Sequence, residues 1–194
     1  MDYRSRENFI IHIMNTGFMR AAQSFSGLLG RAVRITNSAS VLIRHDNDFA
    51  CFSEEKGDLV VLTTQIIGTI SGKSFLILSD EESKEIFKSL KSGNEYLQEA
   101  FLMEIDNIIS ASVISELSNA LRIEVYGDVP NLARIHSRDL QDFMNDEIKK
   151  DDPSSMILSN ATFHFEKGDR VHPQFIWKLS SKVFDIIPTE KLVA

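Results

Sequence analysis

The chain has 194 residues, 43% apolar and 25% charged, with a formal net charge of -7. That length holds one sizeable core or two fused half-domains on a shared sheet, and the acidic balance excludes a phosphate backbone as main partner, since such binding runs on clustered Lys and Arg. No apolar run reaches the roughly 20 residues of a membrane span, the opening MDYRSRENF has no secretory apolar core, and the single cysteine, Cys51, has no internal disulfide partner; the expected location is the cytoplasm, without membrane attachment.

Residues 7 to 29, ENFIIHIMNTGFMRAAQSFSGLL, read as a first long helix, with Gly30 placed to end it. RAVRIT, SVLIR and FACFS follow as three short strands rich in β-branched and aromatic residues, and Cys51 within FACFS reads as a small core residue. EEKG predicts a turn before a strand in DLVVLTTQIIGTI, and Ser71-Gly72 a hairpin into KSFLILS. Ser79 and Glu82 form a capping box for a short helix to about Lys91. Ser92, Gly93 and Asn94 then introduce a second long helix, which runs to Leu121. RIEVYG reads as a strand, and SRDLQDFMNDEIKKDD as a charged amphipathic segment with Leu140, Phe143, Met144 and Ile148 on one face. SSMILSNATFHF and RVHPQFIWKLS predict a hairpin across EKGD, and SKVFDII a final short helix or strand.

This order of elements occurs twice. At an offset of 92, Phe9 falls on Phe101, Ile13 on Ile105, Asn15 on Asn107, Phe25-Ser26 on Leu117-Ser118 and Val33 on Val125. Gly72 and Gly168 are 96 apart, which places a small insertion in the charged segment of the second half. The expected architecture is one domain over 1–194 built from two α/β repeats, about 5–91 and 94–188. Two long helices related by a pseudo-twofold pack on one face of a mainly antiparallel sheet.

In the second long helix, Leu102, Ile105, Ile109, Val113 and Leu117 mark a buried stripe at 3.6 residues per turn. Glu104 and Asn107 project opposite it, between the small residues Ala100 and Ala111. A Glu and an Asn three apart are ordinary on a solvated helix. What distinguishes this pair is Pro130, which follows Asn107 after 22 intervening residues.

Glu-x-x-Asn, then 22 residues, then Pro, resembles the signature of the CheC, CheX and FliY chemotaxis phosphatases. NTGFMRAAQSFSGLLGRAV is similar to the opening of CheC-type sequences, so the likeness extends over most of the chain and is weakest from about 137 onward. The family pattern also has Asp or Ser four residues before the Glu, where this chain has Ala100. The resemblance implies the duplicated fold and hydrolysis of the aspartyl phosphate of a CheY-type response regulator. Asn107 would orient the attacking water, and Glu104 would pair with a lysine of the regulator. Pro130 would shape the adjacent loop. An acyl phosphate is already activated and the receiver domain brings its own divalent metal, so the phosphatase needs no metal or cofactor of its own. The implied partners are the phosphorylated regulator and a CheD-like deamidase, with the chain a monomer or homodimer.

The equivalent positions in the first half are His12, Asn15 and Ser38, where the Asn is kept and the Glu and Pro are not. A neutral imidazole does not pair with a lysine as a carboxylate does, which makes this second site doubtful. Asp106 replaces a small residue beside the family Asn and points by helical angle toward the buried stripe, where a carboxylate needs a partner; Arg20 of the first half is a candidate. His164 and His172 flank EKGD but lack a third ligand for a metal. These departures support a rival reading, a module of the chemotaxis or flagellar-switch apparatus that binds the regulator with weak or no turnover. A third reading is a homodimer of the CheX kind, paired through an edge strand.

Overall fold

Ile10, Ile13, Met14, Phe18, Ala21 and Phe25 recur at intervals of three and four, the period of one helix face, and all are buried. Alternating residues on the strands supply the opposing surface. In the computed structural model, which describes residues 3–30, 32–43, 57–88, 94–149, 154–165 and 170–188, the chain begins α1 (Tyr3–Leu29), β1 (Val33–Ile43), β2 (Asp58–Gly68), β3 (Gly72–Ser79) and α2 (Asp80–Phe87). It continues α3 (Glu95–Leu121), β4 (Val125–Gly127), β5 (Asn131–His136), α4 (Leu140–Lys149), β6 (Ser154–Phe165), β7 (Arg170–Val171), β8 (Gln174–Ser180) and α5 (Lys182–Asp185).

The strands form one antiparallel sheet in the order β1-β6-β8-β3-β2-β4, with β5 beside β4 on β2 and β7 on β6. The two halves therefore exchange strands. β1 of the first half pairs with β6 of the second, Val33 opposite Phe165, while β4 and β5 of the second half pair with β2 of the first. A pseudo-twofold passes between the central strands β3 and β8, which pair directly.

α1 and α3 pack against each other on one sheet face. A Cβ on Gly17 would lie 2.6 Å from the Val113 Cα, so the helix backbones meet here at a separation only glycine permits. Phe18 stacks edge-on against Phe175 and Trp177 of β8, and Phe25 against Phe163 and Phe165 of β6. Serines at equivalent positions tie the ends of both long helices, by different bonds. Ser26 Oγ accepts from the Val33 N–H at 2.9 Å, and Ser118 Oγ donates to the Ile123 carbonyl at 2.6 Å.

Ser79 and Glu82 form the expected capping box at the start of α2, whose C-cap is Lys88. The amphipathic segment is a helix, but it packs on the other sheet face: Leu140 and Met144 of α4 join Leu59, Val61, Phe75, Ile77 and Ile176 in a second, smaller core. RAVRIT and SVLIR are not two strands. They merge into β1, whose register against β6 gains one residue between Asn37 and Ala39, a bulge at Ser38. SKVFDII resolves to the short helix α5. FACFS with Cys51, most of EEKG, the stretch 89–93 and the EKGD turn lie outside the described residues.

Candidate site on the second long helix

α3 is anchored at both ends. Asn94 Oδ1 accepts from the Tyr96 N–H at 3.0 Å, and at the far end Arg122 takes a left-handed conformation (φ 56°) while the Ile123 N–H reaches back to the Ser118 carbonyl at 3.1 Å. Between these caps, Leu102, Ile105, Ile109, Val113 and Leu117 are buried against α1 and the sheet. That stripe fixes the rotation of the helix. Glu104 and Asn107 consequently face solvent, with Ala111 also exposed and Ala100 partly so.

Pro130 is buried in the break between β4 and β5. β4 pairs Gly127 with Ile66 and β5 pairs Asn131 with Thr63, so the broken strand carries one residue more than β2 opposite it. A proline has no N–H to give a ladder, which suits it to such a break. Ser38, 92 residues earlier, holds the bulge of β1, so the two halves share this irregularity and the gapless offset extends into the edge strands. A Cβ on Gly127 would meet the Ile114 side chain, and Arg134 Nε donates to Glu99 Oε1 at 3.2 Å. The segment between therefore runs antiparallel beside α3, with Pro130 between these two contacts.

Asp106 is buried as its helical angle predicts, 1% exposed, but its partner is not Arg20. Thr64 Oγ1 of β2 donates to Asp106 Oδ2 at 2.7 Å, while Arg20 pairs with Glu116 across the two long helices. In that pair Glu116 is buried and Arg20 reaches it from the exposed side, while Thr64 is the polar group that the sheet presents to Asp106. Burial pushes the carboxyl up to about 7, and the hydrogen bond from Thr64 partly opposes that rise.

The first-half positions differ. His12 is exposed, and Asn15, half-buried and held by further contacts, lacks the open setting of Asn107. His164 and His172 each bond a threonine, Thr36 at 2.8 Å and Thr162 at 3.1 Å, rather than converging on a common ligand. Sequence reasoning missed the apolar rim around the pair. Leu97, seven residues before Glu104 and so on the same helix face, is exposed, as are Tyr96 and, at 79%, Val129 beside Pro130. The signal for Leu97 was present, since it is an apolar residue at an outward position of the same period. A cavity of about 310 Å³ bounded by Asp58, Asp80, Arg134 and His136 lies apart from Glu104 and Asn107. The pair stands on an open helix surface, a shape for docking a protein rather than enclosing a small molecule.

Two long helices on one face of a strand-exchanged antiparallel sheet define a fold found among chemotaxis and flagellar-switch proteins. No protein-family model matches the sequence, and no curated protein matches it. Among solved structures, FliY from Thermotoga maritima superposes with a TM-score of 0.72 at 18% identity, over 96% of this chain and 95% of that one. The FliM middle domain of Vibrio alginolyticus gives 0.62 at 9% identity, over 94% and 99%. The chemotaxis protein CheX of Desulfovibrio desulfuricans gives 0.55 at 14%, over 87% and 97%. What these likenesses carry is the fold, as the sequence resemblance implied. No helix among the described residues is long and apolar enough to cross a membrane.

Proposed function

We propose that the Glu104 and Asn107 face of α3 docks a phosphorylated CheY-type response regulator and accelerates hydrolysis of its aspartyl phosphate. The observation that carries this reading is an outward amide and carboxylate on a helix whose rotation is locked by its buried stripe. The Asn107 carboxamide accepts and donates hydrogen bonds at once, and so holds a water in line with the phosphorus. The water oxygen forms the new bond, the bond to the regulator's aspartate breaks, and inorganic phosphate leaves. The receiver's own divalent metal neutralises the developing charge. Glu104 pairs with a regulator lysine, and Leu97, Tyr96 and Val129 supply apolar contact around it.

A second reading is docking without turnover, as a regulator-binding module or a partner of a CheD-like deamidase. It is favoured by Ala100, where the resembled pattern has Asp or Ser, and by the FliM middle domain, which has the same fold, since a fold hosts several functions. The test is the decay of a phosphorylated CheY-type receiver with wild-type protein, Asn107→Ala and Asn15→Ala. Acceleration that falls by about 100-fold in Asn107→Ala, the scale expected for loss of positioning, and persists in Asn15→Ala supports one working site. Binding with unchanged decay replaces the phosphatase reading with the docking one.

A further inference from the structure

On the sheet face away from the long helices, three cationic or imidazole side chains stand in one row across three strands. Arg34 of β1 is in register with His164 of β6, and His164 with Arg170 of β7. Their neighbours Val33, Ile35, Phe163, Phe165 and Val171 are buried in the main core, so the alternation of the strand turns all three to the opposite side. α4 and its small core cover that side over β2, β3 and β8, and the row lies beyond it. The next row holds Thr36 opposite Thr162, with His172 Nδ1 3.1 Å from Thr162 Oγ1.

Arg34 and Arg170 are exposed, and neither makes an ion pair or hydrogen bond to a described residue. Flanking strands two ladder spacings apart put their Cα atoms about 10 Å from each other, a gap two guanidinium side chains span to meet over the ring between them. Thr36 Oγ1 lies 2.8 Å from His164 Nε2, so Nδ1 is the ring nitrogen that Thr36 does not engage. Glu82 reaches the adjoining loop but spends its two oxygens on the N–H groups of Ser79 at 2.9 Å and His172 at 2.7 Å. In a chain of net charge -7, this is a local surplus of positive charge among the described residues, with no carboxylate of theirs paired to either arginine.

We propose that Arg34, His164 and Arg170 bind a tetrahedral oxyanion of the phosphate or sulfate class, with the two guanidiniums as a clamp and the imidazole between them as a third donor. The site lies across the sheet from Glu104 and Asn107 and does not depend on the phosphatase reading. Its electrostatics agree. The His164 imidazole is held below the ordinary histidine range, first by desolvation and then by the like charges of Arg34, Arg170 and His172. An anion seated between them removes that repulsion, so binding raises the imidazole pKa and strengthens as pH falls.

Sulfate is the suitable probe, because its charge is constant over the pH range in which histidines titrate. Amide and imidazole NMR spectra of the full chain would be followed with sodium sulfate, and with sodium chloride at matched ionic strength. Expected are saturable shifts at 33–36, 162–165 and 170–172 with sulfate only, and a rise in the His164 pKa. The Arg34→Ala/Arg170→Ala double variant should bind at least tenfold more weakly, while Arg34→Lys/Arg170→Lys retains part of the affinity. Inorganic phosphate at pH 6 and pH 8 then separates preference for one or two charges. Equal shifts with both salts, an unmoved His164 pKa, or undiminished binding in the double alanine variant would each overturn the proposal. The wild-type His164 titration decides the matter even if a variant fails to fold.

Discussion

Asp106 and Asn107 are adjacent in sequence and opposite in environment. Asn107 meets solvent while Asp106 lies against β2 on the hydrogen bond from Thr64. The Asp106 carboxyl rises from 3.8 to about 7 on folding. A carboxyl with a raised folded pKa binds more protons folded than unfolded between those values, so its contribution to stability falls as pH rises through that window and levels off above it. At about 1.4 kcal/mol per unit, the full swing is roughly 4 kcal/mol at most. Asp106→Asn keeps an acceptor for Thr64 and removes the titration. Urea unfolding should show this variant's advantage over wild type largest at pH 8, less than half as large at pH 5 and nearly gone close to the unfolded pKa of 3.8; parallel curves across that range would remove the account. Glu104 belongs to a different step from Asn107. Glu104→Lys, which sets two ammonium groups face to face, should raise the regulator concentration for half-maximal rate with little change in kcat, whereas Asn107→Ala lowers kcat.

At the level of elements, the contact between α1 and α3 rests on Gly17. An alanine there gains about 1 kcal/mol of helix propensity, but its Cβ would lie 2.6 Å from the Val113 Cα and 2.8 Å from its Cγ2. Backbone cannot yield as a side-chain tip can, so Gly17→Ala should lose about 1 to 3 kcal/mol net, read as a lower thermal midpoint with unchanged helix content. Gly27, with open space where its Cβ would be, is the control that should tolerate alanine. The long helices were legible because their periods of three and four are unbroken over seven turns, and that periodicity placed Glu104 and Asn107 outward and Asp106 inward. The partner of Asp106 was not legible, because which strand residue lies under a helix depends on packing between elements. β1 was misread as two strands because Asn37 and Ser38 interrupt its apolar alternation, and that interruption is the bulge. The pattern of α4 revealed its apolar face, but nothing in an amphipathic helix says which side of a sheet it will cover.

At the scale of the whole molecule, neither half owns a complete sheet. Among the described residues, β1 pairs with β6 alone, and β4 and β5 with β2 alone. Fragments 1–91 and 94–194 expressed alone should therefore lack dispersed amide spectra and cooperative unfolding, and mixing them should restore both. A fragment that folds alone would mean that the strand exchange is dispensable. The same exchange governs the order in which the protein can be made. Val33 waits for Phe165, about 130 residues further on, which at 5 to 20 residues per second takes a ribosome roughly 7 to 26 s. For that interval β1 stands without its described ladder partner, although β2 and β3 can already pair. The sheet can close only when synthesis has nearly finished, which makes the exposed β1 edge of the nascent first half a natural client for chaperones.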